Sequence, residues 1–302
     1  VLCVSWVALL VVAVLALRAS RRRTRRYRLA APLGAGGMGS VFRAEVGSGA
    51  PVAVKVLERP DAASEAAFWA EVERTAAIRH PGVVRVLDWG RLPDGRPFYA
   101  MPLVEGYDLR RLLDVWGRQD PSRVARVVAS LCDAVGAIHT KGWVHRDLKP
   151  ANVMLSLGDD GDVVTVIDLG LVKGPGDALA DSDALVGTPR YLAPEVVRAP
   201  GRATPASDAF ALGVLAFELR WGRPPFGDDP TARPSVGRPD AAADVDANAA
   251  LAAFDAAIVS CLDPDPERRP TLRALRDAAH AALGARPWTS TDARSWWDGH
   301  RP

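Results

Sequence analysis

LGAGGMGSVFRAEVGSGAPVAVKVLE, residues 33–58, carries the spacing Gly34-x-Gly36-x-x-Gly39, which serves two unrelated nucleotide-binding designs. In one, a strand and a tight turn lead into a helix that grips a dinucleotide, and an acidic residue comes about 20 residues on. In the other, two strands fold a flap over ATP phosphates. The residues after Gly39 decide between them. Val41, Phe42 and Val46, then Val52, Ala53, Val54 and Val56, form β-rich runs broken by the turn-like Gly47-Ser48-Gly49. The sequence therefore predicts strand, turn and strand, with no helix. At such a bend the glycines let backbone approach phosphate without side-chain obstruction.

The second strand places Lys55 in Val52-Ala53-Val54-Lys55, one of only four lysines in an arginine-dominated chain. A lysine on an otherwise apolar strand is costly unless it meets an anion. A snorkelling edge-strand lysine is the plainer alternative.

Length and charge narrow the class. A chain of 302 residues buries a sizeable core as one large domain or two small ones. Its net charge is +2, yet residues 18–28 hold seven arginines, so the rest of the chain sits at −5 once those seven are subtracted. The basic character belongs to one segment, and a nucleic-acid-binding body is not expected. Cys3, Cys132 and Cys261 lie far apart with no Cys-x-x-Cys pair, which argues against a disulfide framework or a local zinc site.

VLCVSWVALLVVAVLAL, residues 1–17, is uncharged and apolar. As a helix it would reach about 25 Å, a little short of the roughly 30 Å hydrocarbon core, and Arg18 could extend it by snorkelling. Its charges come after the apolar run, whereas a cleaved signal peptide places them before it. The expectation is a single-pass anchor over 1–17 and a polybasic juxtamembrane segment over 18–26, with membrane contact through residues 1–28. The positive-inside rule then puts the remainder in the cytoplasm.

Three further motifs occur in order along the chain. GWVHRDLKPANVML (142–155) contains His145-Arg146-Asp147-x-Lys149-x-x-Asn152, VIDLG (166–170) contains Asp168-Leu169-Gly170, and GTPRYLAPE (187–195) ends in Ala193-Pro194-Glu195. With the Gly-rich hairpin and Lys55, they make the chain resemble the protein kinases over about residues 27–284. GAGGMG together with the later HRDLKPAN resembles most the bacterial Ser/Thr kinases of eukaryotic type.

The resemblance implies an α+β fold of two lobes, a small β-rich N-lobe (about 27–101) and a larger, mainly helical C-lobe (about 105–284), with ATP between them. It implies that Asp147 accepts or orients the substrate hydroxyl proton, that Lys149 reaches the transferring phosphate, and that Asn152 and Asp168 hold Mg²⁺, or Mn²⁺ in its place. Lys55 would grip the phosphates through an ion pair with Glu71 from the helix in residues 63–84. Glu65 and Glu73 compete for that role and are assigned to the solvated face. Phe68, Val72, Ala76 and Ile78 approximate the apolar face of this helix.

By the same resemblance, Gly34, Ala35, Gly36, Gly37, Met38 and Gly39 form the phosphate flap. Leu33, Val41 and Ala53 roof the adenine, Met154 floors it, and Met101 stands at the back. The hinge is Pro102-Leu103-Val104, where Pro102 replaces a commoner acidic residue and removes one N–H donor. Leu169 replaces the usual Phe, and Thr75 replaces a larger apolar residue. Asp208 would anchor the catalytic loop, and Glu195 would pair with Arg269. Ser182 is the better autophosphorylation candidate, its phosphate meeting Arg146, whereas Thr188 is expected to brace Asp147 and Lys149.

The expected activity is transfer of the ATP γ-phosphate to protein Ser or Thr hydroxyls at the cytoplasmic face of a bacterial cell membrane. The alternative is a pseudokinase acting as a nucleotide-binding scaffold. A homodimer through the N-lobe is left open. The tail, 285–302, with Trp288, Trp296 and Trp297, either packs back on the C-lobe or docks a partner.

Overall fold

The computed structural model describes residues 27–36, 39–47, 49–170, 172, 188–227 and 249–300. The chain divides into two compact units. Among the described residues, one comprises those within 27–73 together with Arg85–Leu103, and the other Arg74–Val84 together with those within 104–300.

The small unit is built on five strands, β1 (Arg28–Gly36), β2 (Gly39–Glu45), β3 (Val52–Val56), β4 (Asp88–Arg91) and β5 (Pro97–Pro102). They run antiparallel in the order β1-β2-β3-β5-β4, so the hairpin read from the glycine spacing is present. Strand alternation sorts β3 cleanly. Val54 and Val56 pack with Ala44, Phe98 and Ala100 in the core. Ala53 and Lys55 take the other face, opposite Met101 and Tyr99 of β5.

Helix α1 (Ala62–Ala77) starts where Asp61 accepts hydrogen bonds from Ala63 and Ser64 backbone N–H groups, an N-cap. The apolar face read from sequence is partly corrected. Phe68, Glu71, Val72 and Thr75 are buried, whereas Ala76 is exposed and Ile78 lies past the helix end. Two polar residues occupy the stripe that a hydrophobic count alone would not include.

The large unit has a three-stranded sheet of order β6-β7-β8, with β6 (Gly106–Asp108), β7 (Val153–Gly158) and β8 (Gly161–Val166). Around it lie α2 (Leu109–Trp116), α3 (Pro121–His139), α4 (Pro194–Arg198), α5 (Pro205–Trp221), α6 (Ala249–Cys261), α7 (Leu272–Ala285) and α8 (Ser290–Gly299). Helix α5 is buried continuously from Ser207 to Arg220, which makes it the axle of the core. That suits its sequence, which carries apolar residues around most of the helix.

Residues 74–84 join the large unit, although the sequence reading gave 27–101 to one lobe. Val84 N–H donates to the Val166 carbonyl, and Val166 N–H to the Gly82 carbonyl, both at 2.9 Å, so this segment is pinned to the edge of β8. Among the described residues, no helix is long and apolar enough to cross a membrane. The expected anchor, 1–17, and the polybasic segment, 18–26, lie outside the described residues.

Candidate active site

In the small unit the β1–β2 turn is shaped by Gly39, whose φ is 130°. A Cβ at that position would stand 2.1 Å from the Val56 carbonyl oxygen, so no side chain fits. Gly34 has open space around it, so its value lies in what approaches from outside. Leu33 and Ala35 are exposed, Val41 is half-buried, and Ala53 and Met101 are buried, while Gly36 closes β1 opposite Gly39. Gly37 and Met38 lie outside the described residues.

Lys55 and Glu71 meet. The ammonium Nζ donates to Glu71 Oε1 at 2.6 Å, and both side chains are buried. Tyr99, opposite Lys55 in the sheet, donates its hydroxyl to the same oxygen at 2.7 Å. Its ring also packs 5.6 Å from Phe68, one turn before Glu71. Tyr99 thus orients the carboxylate, a role the sequence reading missed. A hydroxyl in the middle of PFYAMP was the available sign.

Glu65 is not simply solvated, as the sequence reading had it. It pairs with Arg91 and accepts from the Trp69 indole at 3.1 Å, and these contacts hold its carboxyl below the usual range. Glu73 is exposed. Leu103 and Val104 are half-buried and fall on either side of the division between the units.

In the large unit a short loop gathers the acidic and amide groups. Lys149 Nζ donates to Asp147 Oδ2 at 2.7 Å. Asn152 Nδ2 donates to the Asp147 carbonyl at 2.8 Å and to Asp147 Oδ2 at 3.0 Å. Downstream of β8, Asp168 Oδ1 accepts from Gly170 N–H at 3.0 Å, fixing the turn, and Leu169 is buried in the core. Met154 is half-buried on β7, paired with Asp108.

The loop is held from beneath by Asp208 of α5. Its Oδ2 accepts from His145 N–H at 2.8 Å and its Oδ1 from Arg146 N–H at 3.0 Å. His139 Nε2 lies 2.7 Å from Oδ2. Arg146 has a φ of 70°, unusual for a side-chain-bearing residue and here sustained by that bond. Burial lowers the pKa of the His145 imidazole, although Asp208, Asp168 and Asp147 pull the other way.

Glu195 and Arg269 form a two-pronged pair at 2.7 and 2.8 Å, with Ser207 donating to Glu195 at 2.8 Å. Thr188 contributes its carbonyl, which accepts from Tyr191 N–H at 3.0 Å. Its hydroxyl makes no hydrogen bond to Asp147 or Lys149, so the expected brace is not formed. Its backbone is taken up by the turn that leads into α4. Ser182 lies outside the described residues.

A family model described as the protein kinase domain matches residues 27–281, and the chain belongs to that family. Among curated relatives, the serine/threonine-protein kinase PknL of Mycobacterium tuberculosis is 39% identical over 210 residues, covering 68% of this chain and 51% of the relative. The serine/threonine-protein kinase pkn3 of Myxococcus xanthus is 36% identical over 214 residues, covering 68% and 39%. PknB of Mycolicibacterium smegmatis is 37% identical over 220 residues, covering 68% and 34%. The chain thus spans about half or less of these relatives' length.

Proposed function

We propose that this chain is a serine/threonine protein kinase that transfers the γ-phosphoryl group of ATP to protein hydroxyls. The observation that carries the reading is the Asp147–Lys149–Asn152 cluster, suspended from Asp208. Lys149 and Asn152 both engage Oδ2 of Asp147, which leaves Oδ1 to take the substrate hydroxyl proton. The hydroxyl oxygen then bonds to the γ-phosphorus as the bond to the departing ADP oxygen breaks. Lys149 supplies a positive charge beside the transferring group.

The residues suit a magnesium nucleotide. Among the described residues no three His, Cys, Asp or Glu side chains converge, so no all-protein cage for a metal is present. Mg²⁺ does not ask for one, because it commonly takes one or two protein oxygens together with phosphates and water. The Asn152 amide turns its nitrogen to Asp147, leaving its oxygen for a hard cation alongside the Asp168 carboxylate. ATP with Mg²⁺ supplies the transferable phosphoryl group. Lys55, steadied by Glu71 and Tyr99, would grip its phosphates.

Wild type should transfer radiolabelled phosphate from ATP to itself or to a Ser/Thr protein substrate, and Asp147→Asn should lose at least about 100-fold in rate. Equal transfer by both would sink the role of Asp147, and none by wild type under any divalent metal would favour a nucleotide-binding scaffold. We also read residues 1–17 as a membrane anchor and 18–26 as its basic flank, because an uncharged apolar run leads directly into a cluster of arginines. The expected membrane contact does not extend to Arg28, which pairs with Glu45 in the β1–β2 ladder. Removing residues 1–26 should move the protein from the membrane pellet to the soluble fraction. Unchanged partitioning would end that reading.

A further inference from the structure

Beyond the family match, which ends at residue 281, Trp288 and the following helix α8, with Trp296 and Trp297, pack back on the large unit. The helix is stiffened at its start by a reciprocal cap between Thr289 and Asp292. Trp297 is almost fully buried and makes two contacts on different strands. Its indole N–H donates to Asp162 Oδ1 of β8 at 2.7 Å, and its ring stacks on Tyr107 of β6, 5.7 Å away and 3° from parallel. One side chain therefore spans the sheet, with β7 between its two anchor points.

The anchor on β8 is unusually firm. Asp162 is buried and receives Arg123 Nε at 2.8 Å, Arg123 Nη2 at 3.1 Å and the Trp288 indole N–H at 2.9 Å, besides Trp297. Trp296 lies over the Arg123 guanidinium at 3.8 Å. By contrast, β6 is only three residues long and offers little ladder of its own. It also approaches β7 so closely that a Cβ on Gly106 would stand 2.0 Å from the Leu155 carbonyl oxygen. A strand this short and this close depends on what is packed over it.

What β6 positions is the edge of the large unit next to the hinge. Gly106 comes two residues after Val104, and Asp108 pairs with Met154, the residue read as the adenine floor. Asp108 also caps α2 by accepting from Arg111 N–H at 2.8 Å. We propose that Trp297 is a positioning residue for nucleotide binding, clamping β6 through Tyr107 against the Asp162 anchor so that Met154 and the chain after Val104 keep their register. This rests on the kinase reading for the role of Met154, but the clamp itself is testable without it.

The test compares full-length wild type with Trp297→Ala, Trp297→Phe and Leu275→Ala, the last a buried α7 residue that serves as a control for general destabilisation. Two quantities are measured: affinity for a fluorescent ATP analogue with Mg²⁺, and amide hydrogen exchange over residues 106–108. Trp297→Ala should weaken the analogue about 5-fold and raise KM for ATP by a like factor with kcat within about 2-fold. It should also speed exchange in β6. Trp297→Phe, which keeps a ring on Tyr107 but loses the indole N–H to Asp162, should fall between wild type and Trp297→Ala in both quantities. Leu275→Ala should lower the melting temperature and change neither quantity.

Should Trp297→Ala not fold, Tyr107→Leu removes the same stack from the other side and is read by the same criteria. If Trp297→Ala melts lower, like Leu275→Ala, but leaves nucleotide affinity and β6 exchange at wild-type values, α8 is only a cover and the proposal falls. If wild type binds no nucleotide, the kinase reading has failed. The exchange of residues 106–108 then decides the clamp by itself, unchanged exchange in Trp297→Ala refuting it.

Discussion

Two arginine–carboxylate pairs in the large unit, one buried on both sides and one with a partly buried carboxylate, are built alike and completed differently. Arg269 meets Glu195 with two prongs, and Arg123 meets Asp162 with two prongs. Around Glu195–Arg269 the spare donors of the arginine go to backbone carbonyls of Asp263, Ala206 and Pro264. Around Arg123–Asp162 it is the carboxylate that is completed, by indoles 126 and 135 residues further along the chain. The first pair is completed mainly by main-chain carbonyls, with the Ser207 hydroxyl on the carboxylate, and the second by indoles of the C-terminal tail. Backbone carbonyls tolerate changes of side chain, whereas in the second arrangement the loss of either tryptophan takes one donor from the buried carboxylate.

The largest expected effects break each pair outright. Arg123→Ala leaves a buried carboxylate without its cation, a loss of about 3–5 kcal/mol by urea denaturation, and Arg269→Ala leaves a partly buried one, with a loss at the lower end, about 3 kcal/mol. The comparison sharpens when α8 is removed as well. Truncation after Ala285 should leave the cost of Arg269→Ala unchanged. It should reduce the cost of Arg123→Ala, because water then reaches Asp162 and solvates it. Equal costs in both backgrounds would mean that α8 does not exclude water from this pair.

The same contrast explains what the sequence disclosed. The hairpin was legible because its β-rich runs flank turn residues and because only glycine fits at Gly39. The loop of Asp147, Lys149 and Asn152 was legible because its chemistry needs those residue types within a few positions of one another. Glu195–Arg269 came only through resemblance, since its partners are 74 residues apart. Arg123–Asp162 had no such guide. Neither an arginine in a helix nor an aspartate after a hairpin turn announces burial, and hydrophobic periodicity does not register polar residues on a buried face. Glu71 and Thr75 escaped the predicted apolar stripe of α1 for the same reason, and Tyr99 went unread because its partner is a carboxylate on another element.

The smallest effect concerns acid stability, and it tests how the Glu195 pair differs from a surface bridge. Burial pushes the Glu195 carboxyl up, but hydrogen bonds from Arg269 and Ser207 and the Arg269 charge outweigh it, so the pKa is held below its ordinary value of 4.5. A folded-state pKa below the unfolded one means that the unfolded chain binds more protons as pH falls. The stabilisation from this carboxylate is therefore complete above about pH 4.5 and fades as pH drops through the folded value. Because burial opposes the hydrogen bonds, the net slope should be modest. Glu195→Gln cannot titrate, so it should start less stable at pH 7 and lose less on acidification, with the gap from wild type narrowing below about pH 4.5. Thermal melts across that range measure the gap. A constant gap would mean that the pair holds by shape and hydrogen bonding, with the carboxylate charge contributing nothing further.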